Sequence, residues 1–79
     1  MRLTYDPKYN IAYIRFRRKR AQVTTVEVSD ELNVDIDEKG RVYGIELLNA
    51  NEQLAGERIK KLIVENQDSG KSSEIRLAV

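Results

Sequence analysis

Arg15, Arg17, Arg18, Lys19 and Arg20, with Tyr13 and Phe16 among them, are the residues of this chain most concentrated for chemistry. Guanidinium and ammonium groups in such a run pair with phosphate oxygens, and a two-stranded β-ribbon can carry them into a nucleic-acid groove. If four or five phosphates are contacted, log K falls against log salt with a slope of roughly 3 to 4. The same run also serves as a solvated turn that keeps a sheet edge from aggregating, or as a dock for an acidic patch on a second copy. Tyr5, Tyr9, Tyr13 and Tyr43 suit a base-stacking platform or, more simply, core rings with a wet hydroxyl.

The acids supply the other candidate chemistry. Asp35, Asp37, Glu38 and Glu46 offer oxygen ligands for a hard cation, but their spacing does not follow the twelve-residue calcium loop. A solvated outer face of a half-buried hairpin accounts for them without any ligand. The chain has no histidine and no cysteine. Histidine is the usual general base near neutrality, and cysteine with histidine makes most zinc, iron–sulfur and thiol-nucleophile sites. No glycine pattern matches a phosphate-cradling loop. We therefore expect no enzyme activity, no catalytic residue, no cofactor and no metal.

The elements that position these residues are organised around 32–49, LNVDIDEKGRVYGIELLN. Leu32, Val34 and Ile36 alternate with Asn33, Asp35 and Asp37, while Tyr43, Ile45 and Leu47 alternate with Gly44, Glu46 and Leu48. The apolar positions are even before the turn and odd after it. Only a loop with an even number of residues brings both sets to one side of a sheet. The loop Asp37-Glu38-Lys39-Gly40 satisfies this, with Asp37 as turn acceptor and Gly40 in the left-handed conformation. The implied pairs are Val34 with Tyr43 and Leu32 with Ile45.

The remaining strands follow from period-two alternation at 2–6, 11–17 and 22–29, in addition to 32–37 and 41–48. Asp6-Pro7-Lys8-Tyr9-Asn10 is turn chemistry, and residues 11–17 are apolar on both sides over their first half, as in a central strand. Gly44, inside a strand, marks a bulge or the close approach of a ring. Short connections predict an antiparallel up-and-down meander of about five strands. Beyond Leu48 the period changes. Asn49 is placed to cap a helix over 51–65, most secure over 57–65, with Leu54, Ala55, Ile59, Leu62 and Ile63 at helical spacing. That helix would pack on the apolar face of the sheet, completing an α+β domain over 1–66. Residues 67–79 read as a polar linker and a terminal strand over 74–79, whose Ile75, Leu77 and Val79 are candidates for adding a strand across an interface.

With 79 residues and no disulfide the core must be thin, which favours burial of a second apolar surface by oligomerisation. Absence of cysteine and of any long apolar run suits a cytoplasmic protein without a membrane span. The net charge of +1 conceals an asymmetry. Residues 1–22 carry seven bases against Asp6 alone, and the rest carry seven bases and twelve acids.

Tyr5-Asp6-Pro7, the following IAYIRF and the run DIDEKGRVYGIELLNA together resemble a small prokaryotic family, domain of unknown function 2283. The resemblance spans about residues 1–54. It implies no established activity. Similar proteins are often encoded beside small toxin-like proteins, which implies an antitoxin-like partner role. The basic run departs from the family pattern, where the stretch is usually shorter and more acidic. Taken together, we expect a non-enzymatic protein-interaction module, a homodimer or the partner of another protein. The alternative is a nucleic-acid-binding module using residues 15–20.

Overall fold

Val34 and Ile45 stand directly opposite one another in the hairpin at the middle of the molecule, on one side of the sheet, as the parity of the apolar positions requires. The protein is described from a computed structural model that covers residues 1–54 and 61–78. Its strands are β1 Arg2–Asp6, β2 Ile11–Arg15, β3 Val23–Ser29, β4 Leu32–Asp37 and β5 Val42–Leu48. A single helical turn, α1 Ala50–Gln53, follows. The hairpin β6 Lys61–Glu65 and β7 Ser72–Arg76 ends the described chain. Among the described residues no helix is long and apolar enough to cross a membrane.

The pairs within the β4–β5 hairpin differ from the expected register. Leu32 faces Leu47 and Val34 faces Ile45, but Ile36 faces Val42, so the expected four-residue loop is corrected: five residues, 37–41, lie between the paired Ile36 and Val42, and Tyr43, inserted at a bulge, restores the shared apolar side. Tyr43 is buried and its carbonyl accepts the Phe16 N–H at 2.9 Å, which prolongs the pairing with the chain beyond β2. The turn holds itself by short-range bonds. Asp37 Oδ1 accepts the N–H groups of Lys39 and Arg41, both at 2.9 Å, and Gly40 has φ 79°.

Five antiparallel strands are present, but they do not run as a simple meander. The order is β1-β2-β5-β4-β3, so residues 16–22 leave β2 and pass β5 and β4 to reach the far edge. Strands β2 to β5 thus form a Greek key. Seven extended residues reach roughly 23 Å, whereas three strand spacings need only about 14 Å. Shortness therefore did not force neighbours in sequence to pair. Strand β2, apolar on both sides over its first half, lies inside the sheet, between β1 and β5.

Cross-strand register divides the sheet cleanly into two faces. Leu3, Ile14, Ile45, Val34 and Val26 form a row across all five strands, and Tyr5, Ala12, Leu47 and Leu32 form the next row on that side. On the opposite side run Thr4, Tyr13, Glu46, Asn33 and Glu27, then Arg2, Arg15, Gly44, Asp35 and Thr25.

The expected C-terminal helix over 51–65 is corrected. Residues 50–53 make one turn, residues 55–60 lie outside the described residues, and residues 61–65 are strand. The sequence KLIVE fits either period, and the branched Ile63 and Val64 favour strand once a partner is within reach. That partner is supplied by 66–71, expected to be linker and found to be a turn. Asn66 Oδ1 accepts the N–H groups of Asp68 and Ser69, and Gly70 has φ 73°. The terminal strand consequently spans Ser72–Arg76 and pairs with β6, not with the large sheet. Val79 lies outside the described residues.

The helical turn is fastened by asparagines. Asn49 stands at its N-cap with φ 51°, but its side chain makes no capping bond to a helix N–H. Instead Asn49 Nδ2 donates to Glu31 and Glu52, while Asn10 Oδ1 accepts the Asn51 N–H at 2.9 Å. Gln53 Nε2 donates to the carbonyls of Leu48 and Glu31. These bonds gather the β1–β2 turn, the β3–β4 turn and the end of β5 around the buried Ala50.

Candidate functional site

The apolar face has no described element that covers it fully. Among the described residues Ala12, Tyr43 and Ala50 are the buried apolar ones, and no large side chain is fully buried. Val26 is 46 % exposed, and Val28, Val42 and Phe16 are also open to solvent. Two-stranded hairpins are marginal alone, and every residue of β6 and β7 is exposed. The hairpin is nonetheless two-sided. Leu62 pairs with Ile75 and Val64 with Ser73 on one side, while Lys61, Arg76, Glu65 and Glu74 lie on the other with Ile63. Its apolar side looks across an open cleft of ≈ 600 Å³ at Leu3, Tyr5, Ile14 and Phe16. Leu62, Ile75 and Leu77 line the hairpin wall of that cleft. Ile75 and Leu77, expected at a strand-addition edge, are thus placed beside the apolar face.

The charged face is organised by a hydroxyl clamp. Tyr13 Oη donates to Asp35 Oδ2 at 2.7 Å, and Thr25 Oγ1 donates to Asp35 Oδ1 at 2.7 Å. To reach Asp35 the Tyr13 ring crosses β5 above Gly44, where a Cβ would collide with the ring and hydroxyl. Gly44 is therefore both next to a bulge and under a ring. Partial burial, and then the bond to Asp35, raise the Tyr13 hydroxyl well above the ordinary tyrosine range. Tyr13 remains a neutral donor, which suits a structural clamp.

The acids do not converge. Glu46 Oε1 accepts from Asn33 Nδ2 at 3.0 Å, Asp35 is held by the two hydroxyls, and Asp37 closes its turn. Among the described residues no group of three or more acidic side chains is arranged to hold a metal ion.

The basic run is split by the topology. Arg15 ends β2, directly opposite Arg2 of β1. Arg17 Nε lies 3.8 Å from Asp37 Oδ2, beside the β4–β5 turn. Arg18, Lys19 and Arg20 lie on the exposed crossover, so they are not the tip of a β-ribbon as the sequence suggested. Met1, Arg2, Arg15, Arg17 and Arg18 enclose a hollow of ≈ 430 Å³. Arg2 was not among the basic residues singled out by their spacing. Its place beside Arg15 follows from the β1–β2 register, which is readable once Leu3 is set opposite Ile14.

No curated protein and no solved structure matches the chain. A family model matches residues 2–51, from the start of β1 to the first turn of the helix. The match covers more than half of the chain and leaves β6 and β7 outside it. On that match the chain belongs to the family described as protein of unknown function (DUF2283).

Proposed function

We propose that this protein is a cytoplasmic, non-enzymatic interaction module that works as a homodimer through the apolar face of its five-stranded sheet. The observation that carries this reading is the row Leu3, Ile14, Ile45, Val34 and Val26, apolar across all five strands and lacking a described cover over β3 and β4. Four of these side chains are half-buried and Val26 is exposed, and an apolar row left partly open marks an interaction site. A five-stranded sheet is roughly 24 Å wide at about 4.8 Å per strand. Stacking two such faces would give each copy a second layer over β3 and β4, which the described residues do not supply. The antitoxin-like role implied by the family resemblance would use the same face for a different protein.

The test is the mass in solution. Light scattering should give twice the 9.1 kDa chain mass, and Val26→Lys or Val34→Lys should halve it. Val26 is open to solvent, so its substitution spares the fold, as an unchanged circular dichroism spectrum would verify. A wild-type protein that stays at the chain mass across micromolar to millimolar concentrations overturns the homodimer.

A further inference from the structure

We propose that Arg2, Arg15, Arg17 and Arg18 form a binding site for the phosphodiester backbone of a nucleic acid. Arg2 and Arg15 are opposite one another across β1 and β2, a pairing of like charges that a sheet disfavours. Arg17 and Arg18 close the same ≈ 430 Å³ hollow, and among the described residues no acidic one lines it. The nearby acids are committed elsewhere. Both carboxylate oxygens of Asp35 accept hydroxyl protons, and Oδ1 of Asp37 accepts two backbone N–H groups, so that only Oδ2 faces Arg17, at 3.8 Å. Among the described residues Arg2, Arg15 and Arg18 have no acidic side chain within ion-pair distance and Arg17 has one long contact, so the cluster is suited to an external anion, and planar guanidinium forks match phosphate oxygens in pairs.

The extent of the positive charge selects a repeating anion over a single one. Toward one side a second hollow, lined by Arg2, Thr4, Tyr13 and Arg15, continues the surface along β1 and β2. Toward the other, Lys19 and Arg20 extend it along the exposed crossover. Such a stripe follows a chain of phosphates, whose neutralisation releases counterions and makes binding steeply salt-dependent. The site does not rest on the homodimer, because its two strand residues occupy the charged face.

Fluorescence anisotropy with labelled single-stranded RNA and with duplex DNA, from 50 to 300 mM salt, tests the site and shows which backbone it prefers. Four phosphate contacts give a log–log slope of about −3 for the single strand and about −3.6 for the duplex. Arg2→Thr and Arg15→Thr should each weaken binding several-fold and flatten the slope by nearly one contact, whereas Lys71→Glu, on the far hairpin, should change neither. A second readout separates binding from scaffolding: with the like-charge pair relieved, Arg2→Thr should raise the melting temperature of the free protein while weakening binding. Absence of binding to both probes at 50 mM salt overturns the proposal. So does an Arg2→Thr protein that melts earlier and binds as wild type.

Discussion

Two hairpins in this molecule turn by the same chemistry and end in opposite circumstances. In β4–β5, Asp37 catches the N–H groups of Lys39 and Arg41, the Gly40 N–H returns to the Asp37 carbonyl at 3.0 Å, and Gly40 is left-handed. In β6–β7, Asn66 catches Asp68 and Ser69, the Gly70 N–H returns to the Asn66 carbonyl at 2.8 Å, and Gly70 is left-handed. The first hairpin is flanked by β3 on one side and β2 on the other. The second stands as a separate two-stranded sheet. A turn residue and a glycine suffice to reverse a chain, but burial depends on what lies beside the strands.

The comparison breaks most visibly if equivalent apolar deletions cost the same in both hairpins. Ile45→Ala, in the central row, should lower global stability by about 2 kcal/mol. Ile63→Ala, on the charged side of β6 and 52 % exposed, should stay within about 0.5 kcal/mol. Urea midpoints measure both. Equal losses would mean that the small hairpin unfolds together with the large sheet.

A smaller effect is expected at the glycines. Gly40→Val and Gly70→Val each place a branched side chain at positive φ, a local strain of about 1 to 2 kcal/mol. Nothing lies near either added Cβ, so the strain is purely conformational. For Gly40 it should appear in the global midpoint. For Gly70 it should appear in faster amide exchange of Leu62 and Val64, with the global midpoint unchanged.

The smallest effect separates an acid from its amide. Backbone hydrogen bonding from Arg41 first, and then from Lys39 and the nearby arginine charges, lowers the Asp37 carboxyl below its ordinary value. A depressed folded-state pKa contributes stability above the unfolded value and loses it as pH falls through the folded one. Acidification below the ordinary aspartate range should therefore loosen Lys39 and Arg41 amides. The amides held by Asn66 should not respond. Asp37→Asn should abolish the difference, and proton-resolved amide shifts between pH 5 and pH 2 would record it.

The β4–β5 hairpin, the left-handed Gly40 and the role of Asp37 were legible because they depend on near neighbours and on strand periodicity. Val34 facing Tyr43 was not the outcome, since the loop is one residue longer than expected, with Ile36 opposite Val42, and Tyr43 is a further inserted residue. The helix over 57–65 failed at 61–65 for a non-local reason. Leu62, Ile63 and Val64 satisfy a helical stripe and a strand equally, and only the pairing with Ile75 and Ser73 chooses between them. Of the candidate sites, the basic run was visible as composition, while Arg2 and the commitment of Asp35 to Tyr13 and Thr25 required the sheet order.

Residue order dictated alternating strands, the Asp37 turn and two faces of opposite character, because side-chain direction in a strand has period two and that turn is closed by residues within it. Tertiary structure alone decided that β2 sits beside β5, that the basic segment is a crossover with Arg2 at its root, and that Leu62 and Ile75 belong to a hairpin across a cleft from the sheet. Those outcomes depend on which strands find partners, a competition among distant segments that no local pattern encodes.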